Sequence, residues 1–257
     1  MIESRQNRAA KDIRRLRRSK GDACVLEGPH LVFEALALGI PLDPVLATPD
    51  FLASADGRRL AGLLSAPPLA ASSEVLRSLA DADSPRGLLA VAHLPRGGVE
   101  TLPRAPGAPY LYLDGLQDPG NLGAVARVAE AAGAAGLALA PGSVHPNHSR
   151  ALRGSAGSLL RLPVAVGATP EDLDAHLAPL APTWAALATR GGEDLYTAEL
   201  PESLILALGA EGPGLSSAVA ERARLALTIP LAPPVESLNV AVAAALALFE
   251  LRRRRPG

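Results

Sequence analysis

The sequence lacks the features that define several large protein classes. It contains a single cysteine, Cys24, so no disulfide can form within the chain, and a disulfide-rich secreted domain is excluded. No apolar run approaches the ~18 residues that a membrane-spanning helix needs, and the charged start of the chain has no apolar segment behind it. We therefore expect no transmembrane helix, no signal peptide and a cytoplasmic location.

Several catalytic and binding motifs are also missing. The chain has no Gly-x-Gly-x-x-Gly turn for a dinucleotide, no Gly-Lys-Ser/Thr phosphate loop and no Gly-x-Ser-x-Gly hydrolase elbow. His145 and His148 are three residues apart, but no cysteine or third ligand lies near them in sequence, so we expect no metal site. Cys24 and Trp184 lie in apolar segments and are expected to be core residues.

The composition is that of a globular protein with a substantial core, since 48% of residues are hydrophobic and 20% are charged. A segment rich in proline and glycine divides the chain, which predicts a first domain over 1–97, a linker over 98–108 and a second domain over 109–257. The first has short alternating helices and strands. The second repeats an apolar strand, a glycine-rich turn and a helix, a pattern typical of a parallel sheet covered on both faces. In such sheets ligands bind at the carboxyl ends of the strands.

Positive charge is concentrated at one end of a chain whose net charge is −1. Eight basic residues fall between Met1 and Lys20, and the chain closes with Arg252–Arg255. The first cluster suggests a nucleic-acid partner, although on charge alone a solvated helix face is equally open. The closing arginines are expected to be a solvated helix end.

Three loops that follow predicted strands carry polar residues in unusual patterns. The first runs from Leu113 through an Asp-, Pro- and Gly-rich turn to a helix, with Asn121 as its predicted N-cap and Arg127 six residues later. Spacing alone leaves open whether this pair is a site or an ordinary cap followed by a surface arginine. The second, Leu208–Ser216, contains three glycines, which allow close backbone approach to a ligand, around Glu211.

The third loop leads from Ile229 into an apolar, and therefore buried, helix for which Ser237 is the predicted N-cap. Asn239 falls in the first turn of this helix. An unpaired buried amide would cost roughly 1–3 kcal/mol, so we expect Asn239 to bond to a group at the ends of neighbouring strands.

In order and spacing, these three loops resemble the signature motifs of the SpoU (TrmH-type) branch of the SPOUT RNA 2′-O-methyltransferases. The resemblance covers about Tyr110–Arg252 and includes the segment Arg153–Gly157 between the first two motifs. More loosely, the first domain is similar to that family's substrate-binding domain, which is like ribosomal protein L30e, through Ser4–Asn7, Leu26–Gly28 and Ser84–Gly87.

The resemblance implies an α/β fold in which a parallel-sheet SPOUT domain with a C-terminal trefoil knot follows a small L30e-like α/β domain. It implies a homodimer that uses S-adenosyl-L-methionine as methyl donor. Residues that it assigns to catalysis and positioning are Arg127, Asn121, Glu211, Ser237 and Asn239. Residues that it assigns to the cofactor are Gly209, Ala210, Gly212, Ile229, Leu231 and Leu238. The residues expected to contact substrate RNA are Arg5, Arg8, Lys11 and Arg14.

The sequence thus predicts ribose 2′-O-methylation of a structured RNA, with ribosomal RNA preferred because a separate substrate domain accompanies the catalytic one. Methylation of transfer RNA is one alternative, and a non-catalytic RNA-binding or assembly factor on the same scaffold is another. An unrelated nucleotide-binding α/β enzyme is a third, which the missing phosphate loops disfavour.

Overall fold

The chain folds into eleven strands, eleven α-helices and two short 3₁₀ turns within the part that the structure, a computed structural model, describes: residues 2–4, 6–16, 21–81, 86–210 and 212–255. In chain order, the elements before the linker are α1 (Arg8–Leu16), β1 (Ala23–Glu27), α2 (Pro29–Ala37), β2 (Leu42–Ala47), α3 (Pro49–Ala53), α4 (Ala55–Leu63), β3 (Leu69–Ala70), α5 (Ser73–Leu79) and β4 (Leu88–His93).

After a 3₁₀ turn at Val99–Thr101 the chain alternates between strands and helices. These elements are β5 (Tyr110–Asp114), α6 (Pro119–Ala132), β6 (Gly136–Leu139), α7 (Ser149–Gly154), α8 (Ser158–Arg161), β7 (Val164–Val166), α9 (Pro170–Leu177), a 3₁₀ turn (Ala178–Leu180), β8 (Thr183–Ala188), β9 (Glu193–Asp194), β10 (Leu204–Gly209), α10 (Ser217–Ala220), β11 (Leu225–Thr228) and α11 (Val240–Arg254).

The first compact unit comprises Met1–Pro95 together with Asn147–Leu160. Its sheet has the order β1-β4-β2-β3, in which β4 is antiparallel to both of its neighbours. Polar contacts join the segment 147–160 to this unit: the buried amide of Asn147 donates to Leu94 O, just after β4, at 2.8 Å, and Arg153 Nη1 lies 3.0 Å from Oε2 of the buried Glu27 in β1. The linear division of the sequence does not include this return of the chain.

The second unit, Arg96–Pro146 with Arg161–Gly257, holds a seven-stranded sheet in the order β7-β6-β5-β10-β8-β11-β9. All of its strand pairs are parallel, which confirms the predicted parallel sheet. The apolar strands β5 and β10 lie side by side near its centre, with Gly209 opposite Asp114. Because parallel strands align their carboxyl ends, the loops after β5, β8, β10 and β11 emerge at one edge of the sheet.

The core of this unit is aromatic on one face of the sheet. Tyr112 and Trp184 meet edge to face with ring centroids 5.2 Å apart, and both rings are buried. The Tyr112 hydroxyl donates to Ala168 O at 3.1 Å, and the Trp184 indole donates to Asp174 Oδ1 at 2.6 Å. Each buried polar tip is therefore satisfied, and burial raises the pKa of Tyr112 above its ordinary value. Cys24 is buried in β1, so Cys24 and Trp184 are core residues as predicted.

The closing arginines are not the solvated helix end that the sequence suggests. Arg254 Nη2 donates to Leu195 O at 2.8 Å, and Arg255 Nη1 donates to Gly107 O at 3.0 Å. Both guanidinium groups thus donate hydrogen bonds to backbone carbonyls in loops of the second unit. The expectation of a solvated tail is therefore wrong for these two residues. Among the described residues, no helix combines the length and apolar character that crossing a bilayer requires.

Glu250 lies one turn before two arginines at the end of helix α11 and pairs with both. Its side chain is only 6% exposed, and its carboxylate accepts hydrogen bonds from Arg253 Nη2 at 2.7 Å and from Arg254 Nε at 2.6 Å. These hydrogen bonds lower the pKa of Glu250 to about 2, and the hydrogen bond from Arg253 has the largest effect. The folded-state pKa therefore lies below the ordinary value of 4.5, so the ionised carboxylate stabilises the fold above pH ~4.5 and this contribution is lost as the pH falls toward 2.

We expect Glu250→Gln to lower the free energy of unfolding more at pH 6 than at pH 3, because the wild-type carboxylate loses its advantage as it is protonated. Urea unfolding at the two pH values measures the difference. The matched control is Glu221→Gln, since Glu221 is exposed and the difference from wild type should be nearly the same at both pH values. A Glu250→Gln deficit that did not shrink on acidification would contradict the assigned role.

Candidate functional site

A pocket of about 790 Å³ opens at the carboxyl edge of the second unit's sheet. Four chain segments form it: the ends of β8, β10 and β11 with the loops that follow them, and the start of α11. The lining residues are Leu187, Ala188, Thr189, Arg190, Leu208, Gly209, Ala210, Gly212, Gly214, Leu215, Ile229, Leu231, Glu236, Ser237, Leu238, Val240 and Ala243.

The structure gathers at this pocket all six residues that the resemblance assigns to the cofactor: Gly209, Ala210, Gly212, Ile229, Leu231 and Leu238. Ser237 lines it as well. The end of β8 and the loop after it, Leu187–Arg190, also line the pocket, and no residue of this segment was among the predicted site residues. The predicted apolar strand Trp184–Ala188 could have indicated this contribution, because the carboxyl ends of parallel strands lie at the same edge of the sheet.

The glycine-rich turn after β10 is folded tightly against its own strand. Ala210 pairs with Gly214 as an antiparallel bridge, and Gly214 N donates to Ala210 O at 3.1 Å. A Cβ atom on Gly209 would lie 2.3 Å from the backbone carbon of Gly214, far inside contact distance. Gly212 adopts φ +97°, a backbone region that residues with side chains rarely enter. Glycine is thus required here by the packing of the turn on itself.

The first and third loops meet through two asparagines. Asn239 Nδ2 donates to Asn121 Oδ1 at 2.9 Å, and Asn239 Oδ1 accepts from Ala241 N at 2.9 Å. Asn239 thus bonds to the first turn of the helix that follows β5, as expected, but the residue is exposed, so the expected burial of its amide is wrong. Asn239 stands between Leu238 and Val240, which both line the pocket. This hydrogen bond therefore connects the first loop to the pocket wall.

Both predicted helix caps are wrong by two or three residues. The N-cap of α6 is Asp118, whose Oδ1 accepts from Asn121 N at 2.8 Å, so Asn121 lies inside the first turn. The N-cap of α11 is Asn239, whereas Ser237 lies two residues before it with an exposed side chain. In each case another polar residue nearby has the side-chain oxygen that reaches the free N–H groups of the first turn.

Arg127 stands on the exposed surface of α6 and does not line the pocket. Within the described residues, no side chain or carbonyl forms a hydrogen bond or ion pair with its guanidinium. Arg127 is six positions after Asn121 on the same helix. At 3.6 residues per turn, the two side chains leave the helix in directions about 120° apart. A single chain therefore does not bring Arg127 into the pocket.

The remaining predicted site residues lie elsewhere or outside the described part. Arg8, Lys11 and Arg14 lie on α1 of the first unit, the first two exposed and the third half-buried. Arg8 lies 4.0 Å from Asp12, an exposed pair one helical turn apart that contributes little stability. Glu211 and Arg5 fall outside the described residues.

The comparisons with known proteins identify the family. Residues 108–249, more than half of the chain, match the SpoU rRNA Methylase family, and residues 7–90 match the MRM3-like substrate binding domain. The chain is 31% identical over 98% of its length to the 23S rRNA (guanosine(2553)-2'-O)-methyltransferase RlmP of Bacillus subtilis, 98% of which is covered. It is 37% identical over 80% of its length to the 23S rRNA (guanosine-2'-O-)-methyltransferase RlmB of Ralstonia nicotianae, 82% of which is covered.

A solved structure with the same architecture holds the methyl donor. The AdoMet-bound rRNA methyltransferase of Sinorhizobium meliloti superposes with a TM-score of 0.86 and 27% identity, over 100% of this chain and 98% of that one. The predicted family resemblance is confirmed: the chain belongs to the SpoU rRNA methylase family.

Proposed function

We propose that this protein transfers a methyl group from S-adenosyl-L-methionine to a ribose 2′-oxygen of structured RNA, with ribosomal RNA as its substrate. The observation that carries the proposal is the pocket at the carboxyl edge of the sheet, formed by the glycine-rich turn after β10 and the loop before α11. Its wall is connected by the Asn239–Asn121 hydrogen bond to the first loop.

The pocket suits S-adenosyl-L-methionine in size and chemistry. Its volume of about 790 Å³ falls in the range of roughly 300–1,000 Å³ typical of small-molecule sites. The apolar side chains of Leu187, Ile229 and Leu238 offer a surface for a purine. Because Gly209, Gly212 and Gly214 have no side chains, the backbone of this turn can approach the edge of an adenine ring closely.

When bound, S-adenosyl-L-methionine supplies a methyl group already activated by its sulfonium. The task that falls to the protein is to hold the ribose oxygen in line with that methyl group, since alignment alone can be worth an effective molarity of ~10⁵ M or more. We assign positioning of the ribose to Asn121, Ser237, Asn239 and Glu211. To Arg127 we assign the anchoring of the target phosphate and the stabilisation of charge on the 2′-oxygen, because a guanidinium stays protonated in proteins and is a poor base.

Arg127 can act at such a pocket if a second copy of the chain supplies it, and α11 offers a surface for that copy. Val242, Leu246 and Phe249 follow one another at helical spacing and are 49%, 36% and 48% exposed. The opposite side of α11 is buried against α6, the helix that carries Arg127. An apolar stripe of this kind on a surface helix is typical of a subunit interface. We therefore propose a homodimer in which Arg127 of each copy serves the pocket of the other.

Replacing Leu246 with glutamate should convert the dimer to a monomer, because a carboxylate placed in an apolar interface loses its hydration without gaining a partner. Light scattering coupled to gel filtration measures the mass. We expect methyl transfer to be lost while the affinity for S-adenosyl-L-methionine is retained. Leu63→Glu is the control, since Leu63 is an exposed leucine of the first unit at 53%. A Leu246→Glu protein that remained dimeric would contradict this interface.

The first unit supports the choice of ribosomal RNA. Its helix α1 presents Arg8, Lys11 and Arg14, which together with Arg5 we propose as contacts to the RNA backbone. Such phosphate contacts give affinity that falls with salt and carry little sequence choice. Recognition would then depend on RNA shape and a splayed nucleotide. We further propose a cytoplasmic location and the trefoil knot that the family resemblance implies.

The proposal is tested by incubating the protein with radiolabelled S-adenosyl-L-methionine and ribosomal RNA lacking modifications. We expect label in the RNA and a single primer-extension stop at the methylated nucleotide under low nucleotide concentration. Label in transfer RNA but not in ribosomal RNA would show that transfer RNA, and not ribosomal RNA, is the substrate. Tight RNA binding with no transfer, together with no binding of the methyl donor in calorimetry, would overturn the enzymatic proposal in favour of a non-catalytic factor.

A further inference from the structure

One hydrogen bond holds the far end of the turn that forms the pocket wall. Asp114 is the last residue of β5, and its Oδ2 accepts from Ser216 N at 2.7 Å. The two residues are 102 positions apart in sequence. Ser216 is the N-cap residue of α10 and closes the segment that begins at Gly209. Hydrogen bonds that involve a charged acceptor are roughly twice as strong as neutral ones.

Two further contacts hold the described residues of this turn, which leave out residue 211. At its near end, Gly209 is held in the sheet opposite Asp114, and the Ala210–Gly214 bridge closes the loop on itself. At its far end, α10 has only four residues, Ser217–Ala220, too few to be stable by itself. The segment between these ends includes Gly212, Gly214 and Leu215, which line the pocket. The Asp114 carboxylate thus joins the end of β5 directly to the exit of the pocket-forming turn.

We propose that Asp114 is a positioning residue for the methyl donor: by holding Ser216 N–H, it keeps the turn after β10 in the shape that forms the cofactor pocket. Asp114 does not line the pocket, so it acts through the backbone of residues 212–216. This inference rests on the proposed function for its effect on catalysis, but the anchoring itself can be measured without any cofactor.

The anchor can be removed from either side. Asp114→Ala deletes the acceptor, and Asp114→Asn keeps an oxygen at the same place without the charge. Ser216→Pro deletes the donor while suiting the backbone, because Ser216 has φ −64°, the value that proline imposes. The matched control is Ser217→Pro at the first position of α10, where proline is tolerated. A proline at 217 requires an extended residue before it, and Ser216 is extended with ψ 158°. The Ser217→Pro variant also keeps the Ser216 N–H.

We expect Asp114→Ala and Ser216→Pro each to raise the KM for S-adenosyl-L-methionine by about tenfold, the effect of losing one hydrogen bond to a charged group. The kcat at saturating cofactor should change little, since the turn can still close around bound ligand. Asp114→Asn should recover part of the affinity, and Ser217→Pro should match wild type. The double variant Asp114→Ala/Ser216→Pro should be no worse than either single variant, because both remove the same bond.

Hydrogen exchange followed by mass spectrometry provides the readout without cofactor. The amides of Gly212, Gly214 and Leu215, which all these proteins share, should exchange faster in Asp114→Ala and Ser216→Pro than in wild type or Ser217→Pro, with the strands β5 and β10 unchanged. Equal exchange in all four proteins, or KM effects that multiply in the double variant, would overturn the proposal. If the wild type neither binds S-adenosyl-L-methionine nor methylates RNA, the proposed function fails, while the exchange comparison still decides whether Asp114 anchors the turn.

Discussion

Replacing Arg127 with alanine should abolish methyl transfer while leaving the affinity for S-adenosyl-L-methionine nearly intact. The guanidinium is exposed on α6 and lines no part of the cofactor pocket, so its loss removes nothing that holds the methyl donor. It removes the group that we assign to the target phosphate and to the charge on the 2′-oxygen. Losing one group that stabilises charge in the transition state costs roughly 10²–10³-fold in rate. Single-turnover transfer to ribosomal RNA and calorimetry with the cofactor measure the two effects separately.

Arg127→Lys distinguishes charge from geometry. Lysine keeps the positive charge but cannot offer the planar fork that grips a phosphate with two hydrogen bonds, so we expect it to remain nearly inactive. A neutral control on the same helix is Glu130→Gln, whose partner Arg161 lies in the same unit. Loss of cofactor affinity in Arg127→Ala, or transfer at the wild-type rate, would refute the assigned role.

Mixing two inactive proteins tests whether Arg127 acts across the dimer. Arg127→Ala and Asn239→Ala each disable one component of the site. After subunit exchange in equal amounts, half of the dimers pair unlike subunits, and in each of these one site has both groups intact. About a quarter of the wild-type activity should therefore return, as two-fold symmetry requires. No recovery would place Arg127 in its own subunit's site.

Gly209→Ala should weaken binding of S-adenosyl-L-methionine and lower the rate of methyl transfer by about 100-fold, the effect that a displacement of about 1 Å can have on a reacting geometry. The added methyl would lie 2.3 Å from Gly214 C and 2.6 Å from Leu215 N. Those atoms are backbone, so they cannot rotate away as a side chain would. The turn must move, and with it the pocket wall that includes Gly212 and Gly214.

Calorimetric titration with the cofactor gives the affinity, and thermal unfolding monitored by circular dichroism shows whether the variant is folded. Gly62→Ala is the control, because a Cβ atom there meets nothing within 4 Å and alanine favours the helix it lies in by roughly 0.5–1 kcal/mol. Unchanged affinity in a folded Gly209→Ala protein would contradict the tight turn that the structure describes.

The sequence alone predicted most of the strands that position the site. Tyr110–Leu113 and Leu204–Leu208 are continuous apolar runs, and these runs became the adjacent central strands β5 and β10. The reason is that a strand buried on both faces needs apolar residues at every position, a requirement that can be read locally. The two-residue strand β9, Glu193–Asp194, is exposed and charged, so no such pattern marks it.

Helix starts were less predictable because several polar residues compete near each one. Asp118 precedes α6 and Asn121 lies in its first turn, while Ser237 and Asn239 both precede α11. Each of these residue types can cap a helix. Which one does so depends on where the strand or loop before the helix ends, and that is set by packing in three dimensions.

From its residues alone this chain determined its strands, its glycine-rich turns and its family, because apolar periodicity and turn chemistry depend on neighbours in sequence. Only the tertiary structure decided which residues distant in sequence form hydrogen bonds with each other. Asn239 bonds to a residue 118 positions away and Asp114 to one 102 positions away. It also decided that 147–160 returns to the first unit and that Arg127 does not line the pocket of its own chain. The physical reason is that the strand order, with β10 between β5 and β8, selects which loops meet at one edge of the sheet, and no local pattern encodes that order.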